Sequence, residues 1–171
     1  MPADDAPEYD FFVSFTRSDQ QWAEWIADQL ARRTRPDGSP CRLLFQSWDF
    51  VPGVNWISMT HQGVQQSARV VPVLSPAYVQ DSPYGAAEWQ AVWRTDPNGV
   101  RRSVIPIRVE ACDPAGLLGA VIYIDLVGRD ERDAAEVLRR EMDAAVDGRR
   151  PRTAPPRFPH PRAAGPAGSE A

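Results

Sequence analysis

The 171 residues are 43% hydrophobic, enough for one compact domain with its own core, and no apolar run approaches the roughly 18–20 residues that span a bilayer. All 19 basic residues are arginine against 23 acids, a formal −4, and the missing lysine excludes Schiff-base chemistry, a P-loop lysine and a lysine general base. Two histidines (His61, His160) and two cysteines (Cys41, Cys112) leave too little for a histidine-rich metal site, a Ser-His-Asp triad or a disulfide scaffold.

In chain order, residues 1–8 read as an N-terminal extension. Met1-Pro2-Ala3-Asp4-Asp5 is acidic where a signal peptide is basic, which predicts a cytoplasmic location. Tyr9 to Phe15 (YDFFVSF) is apolar on both faces and predicts a strand. Ser18 or Asp19 is placed to cap the helix through Leu30, whose apolar positions Trp22, Trp25, Ile26 and Leu30 recur at helical spacing. Cys41 to Phe45 is a second strand. After the loop from Ser47 to Asn55, a helix of about ten residues carries His61 as an ordinary helix residue and leads to Ser67. The strand Arg69 to Leu74 follows, then Ser75 as a helix cap with Pro76 at the first helical position.

Tyr84-Gly-Ala-Ala-Glu88-Trp89 reads as helix, with Tyr84, Glu88 and Val92 on one face and Trp89 and Trp93 on the adjoining stripe. A carboxylate among aromatics either reaches water or has a partner, since desolvating a charge is costly. Val104 to Val109 and Val121 to Leu126 are the fourth and fifth strands. The last helix, Glu131 to Val146, aligns Ala135, Leu138, Met142 and Val146. Cys41 and Cys112 lie beside strands and read as buried free thiols.

A boundary falls near Gly148. Residues 148–171 hold five arginines against Glu170, a formal +4 that leaves −8 for residues 1–147, and six of the 17 prolines. That composition cannot offset its ordering entropy and predicts a disordered Arg/Pro-rich tail or linker; without aromatic interleaving, no nucleic-acid partner is expected.

Doubly apolar strands separated by helices define an α/β fold with a parallel sheet covered on both sides. In such sheets ligands bind beyond the carboxyl ends of the strands. Phe15-Thr16-Arg17-Ser18, Trp48-Asp49-Phe50-Val51-Pro52-Gly53 and Ser75-Pro76 all follow strands, so one cleft is expected there. Arg17 either pairs with an acid on the first helix or meets a ligand, Trp48 reads equally as a core lid, Asp49 is able to cap its own turn, and Pro52-Gly53 is first of all a turn.

YDFFVSF with its arginine-bearing turn, the loop WDFVPGVNW, the segment VVPVLSPAYVQDSPYGAAEW and the late strand VIPIRV together resemble the Toll/interleukin-1 receptor (TIR) domain family, especially its bacterial members, over residues 9–147. The resemblance implies a flavodoxin-like fold, a five-stranded parallel sheet in order 2-1-3-4-5 with helices on both faces. Many members cleave NAD between nicotinamide and ribose, using a glutamate four residues after an aromatic. Carried over, these are Glu88 and Tyr84, with Tyr standing where the family usually has Trp. Phe15, Thr16, Arg17, Trp48 and Asp49 then correspond to substrate-binding positions, and Pro52, Gly53 and Trp56 to a loop that governs access and self-association. NAD is implied as substrate with no prosthetic group or metal, other TIR domains as partners, and no membrane or nucleic acid. The alternative implied by the same family is a non-catalytic scaffold for homotypic association. A receiver domain is disfavoured because Leu74-Ser75 stands where the phosphoacceptor Asp belongs, and a flavin carrier because Thr16-Arg17-Ser18-Asp19 has no glycine.

Overall fold

A computed structural model describes residues 6–49, 51–81, 90–114, 116–151 and 154–155. The chain runs β1 (Tyr9–Ser14), a 3₁₀ turn (Arg17–Asp19), α1 (Gln20–Ala31), β2 (Leu43–Leu44), α2 (Gln46–Asp49), α3 (Trp56–Gln66), β3 (Ser67–Leu74) and α4 (Pro76–Asp81). Helical backbone over 90–95 (α5), β4 (Ile107–Arg108), a 3₁₀ segment (Gly116–Ala120), β5 (Ile124–Asp125) and α6 (Glu131–Asp147) complete it. The five strands form one parallel sheet in the order β2-β1-β3-β4-β5.

The two-faced apolar strands produce two cores. On one face Phe11, Val13, Val71, Val73 and Ile107 pack beneath α1 and α6, which contribute Ile26, Leu30, Leu138 and Met142. On the other face Phe12, Leu44, Val70 and Leu74 meet Val64, Tyr78 and Val92. Each fully buried Phe or Leu contributes on the order of 1.5–3 kcal/mol by leaving water, which is why β1 and β3 anchor the sheet.

The outer ladders are shorter than the apolar runs suggest. Val70 bridges Val104 and Val73 pairs with Ile107, a shared register that sets Pro72 opposite Pro106. Neither proline has an N–H to donate, so the β3–β4 ladder is interrupted there and β4 shrinks to two residues. The strand expected over Cys41–Phe45 likewise pairs only at Leu43–Leu44, and the one expected over Val121–Leu126 only at Ile124–Asp125.

Helix ends correct and confirm the sequence reading. Asn55 caps α3 by accepting the Ile57 and Ser58 N–H groups, and Asp130 caps α6 through Asp133. Ser75 caps α4 by accepting the Tyr78 N–H at 3.1 Å. Neither Ser18 nor Asp19 caps α1 with its side chain, because each is bonded elsewhere. The buried stripe of α6 keeps the expected Leu138 and Met142 and adds Ala134 and Val137, while Ala135 is half-buried and Val146 packs part-buried against the core. Cys41 and Cys112 are free but only half-buried, not fully buried as expected. His61 is an exposed α3 residue bonded to Gln65. α6 ends at Gly148, whose left-handed backbone (φ 83°) returns an N–H to Ala144.

Candidate functional site

Parallel pairing delivers the loops after β1, β2 and β3 to one rim, and a set of side chains fastens them together. Asp19, 4% exposed, accepts hydrogen bonds from the Thr16 hydroxyl and the Ser75 hydroxyl, both at 2.6 Å. One carboxylate therefore ties the β1 loop to the start of α4. Ser14 and Tyr78, both buried, add a second bond between the same elements at 3.0 Å. A charge-assisted pair of this kind is costly to break, because it would leave a buried carboxylate underbonded.

Aromatic contacts fasten the other side. Phe15, just past β1, packs on Phe45 with ring centroids 5.3 Å apart, and Phe45 meets the edge of Trp48 at 5.0 Å. Trp48 packs on Phe45 yet remains 48% exposed, so it is a lid only in part. Asp49 accepts the Phe45 N–H at 2.7 Å, reaching back across α2 to the residue before it instead of capping its own turn. Val54 N–H reaches Val51 C=O at 3.2 Å, closing a turn in which Pro52 fixes one φ and Gly53 adopts +99°. Trp56 is the first residue of α3.

Arg17 is exposed, and among the described residues no carboxylate pairs with it. The ion pair with α1 that a loop arginine commonly makes is not formed. Another arginine at this rim is committed: Arg108, at the end of β4, grips both oxygens of Asp125 at 2.7 and 3.1 Å and lies 4.9 Å over the Tyr123 ring. Those guanidinium hydrogen bonds hold the Asp125 carboxyl below the usual carboxylate range, against the opposing effect of burial. Arg17 is thus a cation able to meet an anionic ligand without surrendering any partner among the described residues. Glu88 and Tyr84 lie outside the described residues.

Sequence reasoning named most of the rim but missed what organises it. Asp19 read as a helix cap, and Ser14 and Tyr78 drew no attention, because pairings separated by 56 and 64 residues leave no local signal.

A doubly wound five-stranded sheet in this order, with loops gathered beyond the carboxyl ends of its first three strands, defines the flavodoxin-like class. The family model described as "TIR domain" matches residues 11–154, and the chain belongs to that family. Among solved structures, the TIR domain of the Toll-related receptor TRR-2 from Hydra magnipapillata superposes with a TM-score of 0.60 at 19% identity, covering 81% of this chain and 98% of that one. A metazoan TIR-STING receptor from C. gigas in complex with 2',3'-cGAMP gives 0.59 at 21% identity, covering 77% of this chain and 40% of the receptor. The same receptor, in a structure described without that ligand, gives 0.59 at 19%, covering 78% and 40%. At these identities the likeness is one of fold. No curated protein matches the sequence. Among the described residues no helix is long and apolar enough to cross a membrane.

Proposed function

We propose that this chain is a TIR-domain NAD glycohydrolase activated by self-association, with Glu88 as its catalytic carboxylate and NAD as substrate. The observation that carries the reading is the cross-fastened rim, which presents Arg17 without a carboxylate partner among the described residues and Trp48 half-exposed beside the loop after β1. Arg17 suits a phosphate of the dinucleotide, while Phe15, Trp48 and Tyr84 offer ring surfaces to the nicotinamide end. Glu88 is the single acid between Asp81 and Asp96.

The chemistry fits a chain without lysine and almost without histidine. Ordinary glycosides need a second carboxyl to protonate the leaving group. In NAD the C1'–N bond breaks with its electron pair passing to the pyridinium nitrogen, so nicotinamide departs neutral and unprotonated. Positive charge develops on the ribose, and one carboxylate stabilises it; water then adds at C1' and releases a proton.

The loop after α2 exposes Val51, Val54 and, at the start of α3, Ile57 at 63%, a few residues along the chain from the half-exposed Trp48. An apolar cluster of this kind suits contact with a second copy, with Pro52, Gly53 and Trp56 shaping the loop. The same cluster favours the second reading, a scaffold that associates through this loop and leaves NAD intact.

Concentrated protein and its Glu88→Gln variant, incubated with NAD, separate the two. Nicotinamide release that rises steeply with protein concentration and falls on the order of 100-fold or more in the variant supports the enzyme. Equal background release from both, with assembly verified by light scattering, leaves the scaffold.

A further inference from the structure

The rim opposite the candidate site, where β4 and β5 begin and α6 ends, holds a cavity of about 500 Å³. Its walls are largely apolar, including Val104, Ile105, Ile124 and Ala145, with Trp93 and Tyr123 adding ring surface. At its mouth Ile122 is 86% exposed. This size and lining are those of small-molecule sites rather than of packing defects.

Its polar groups are unequally matched. Asp96 is engaged by the backbone N–H groups of Arg101 and Ser103 at 3.1–3.2 Å, and Glu141 is held by Arg150 at 2.5 Å and Arg140 at 3.2 Å. Both carboxylates are therefore occupied. Arg102 and Arg149 also line the cavity, and among the described residues neither has a carboxylate partner. The Arg102 Nε is buried and without a hydrogen-bond partner. Its charge is felt next door, where Arg69 is disfavoured as a cation first by burial and then by Arg102.

Arg102 is also fixed in place. It is the non-glycine residue with a positive φ (55°) among those described, and its guanidinium sits where a Cβ on Gly148 would come within 3.0 Å. Such strained backbone survives because Asp96 binds the N–H groups on both sides of Arg102 while the Ser103 carbonyl accepts from Val70. A positioned guanidinium with a buried, unbonded Nε and no described carboxylate partner, lining a largely apolar cavity, is complementary to an anion with a flat apolar body.

We propose that this cavity is a second ligand site, taking a small organic anion that combines an aromatic or similarly flat group with a phosphate or carboxylate, Arg102 receiving the anionic end. The continuing chain is a poor occupant, since it brings Arg152, Arg157 and Arg162 to a cavity that is already cationic.

The probe is 1-naphthyl phosphate, titrated calorimetrically into the full chain, with 1-naphthol and inorganic phosphate as its two halves. The expected result is saturable binding of the whole probe with a Kd below about 1 mM and at least tenfold weaker binding of either half. Arg102→Gln and Ile122→Glu are each expected to weaken it by about tenfold or more, the first by removing the anchor and the second by placing like charge at the mouth. Ile122→Glu alters an exposed side chain and keeps the test meaningful should Arg102→Gln fail to fold. Naphthol binding as tightly as naphthyl phosphate, no saturation, or undiminished binding in either folded variant overturns the proposal.

Discussion

Single side chains decide how the candidate rim is held. Ser75 donates to Asp19 and accepts from the Tyr78 N–H, so one hydroxyl joins the β1 loop to α4 and caps that helix. Ser75→Ala removes both bonds and leaves Asp19, buried, with Thr16 as its remaining described donor. The expected loss is about 1–3 kcal/mol, seen as a lower urea midpoint at unchanged m-value. Ser18→Ala, at an exposed hydroxyl bonded to Thr16, is the control and should stay within about 0.5 kcal/mol of the parent. Equal effects from the two would mean that Asp19 is not the fastening point. Arg17 contrasts with both: it makes no described ion pair, so its replacement is expected to spare the fold.

Elements meet closely where α3 crosses the sheet. A Cβ built on Gly63 would lie 2.7 Å from the Phe12 ring and 2.8 Å from a Leu44 methyl, and both side chains are fully buried. Glycine is therefore required for contact, not for conformation. Gly63→Ala offers about 1 kcal/mol of helix propensity, but overpacking two immobile core residues typically costs 1–3 kcal/mol, so net destabilisation is expected in chemical denaturation. A neutral or stabilising result would show that α3 can lift off β1 and β2. The existence and order of the elements were legible in the sequence because two-faced apolar runs and helical spacing are local patterns. Their ends were not. Pro72 and Pro106 truncate a ladder only because they fall opposite each other, and Asp19 forgoes its capping role only because Ser75 arrives from a distant strand. The rim was legible as loops after strands, while the fastening of those loops was not. Glu88, legible by resemblance, lies outside the described residues.

At the scale of the whole molecule, charge makes stability a dome in pH with separable limbs. On the acid side, Asp96 is opposed by burial but brought below its ordinary value by the N–H groups of Ser103 and Arg101. Asp125 is lowered chiefly by Arg108, and Glu141 chiefly by Arg150. A carboxyl depressed in the fold stabilises it fully above the unfolded value, near 4, and that contribution is lost as pH falls through the folded value. On the alkaline side, Cys41 and Cys112 are raised, mainly by burial, and Tyr9 by burial and Glu8. For an acid whose folded value is raised, the unfolded chain releases its proton first, so stability falls as pH climbs past about 8.5. In most proteins lysine titration overlies this limb, but here there is no lysine, and arginine does not titrate in this range. The alkaline decline up to about pH 10 should therefore report the two thiols, with tyrosine joining above. Urea midpoints measured from pH 3 to pH 10 are expected to hold level between about 5 and 8, and a Cys41→Ser, Cys112→Ser double variant to flatten the limb above 8.5 while leaving the acid limb intact. An alkaline slope unchanged in that variant would refute the assignment, because among the described residues no other group raised by burial begins to titrate before tyrosine.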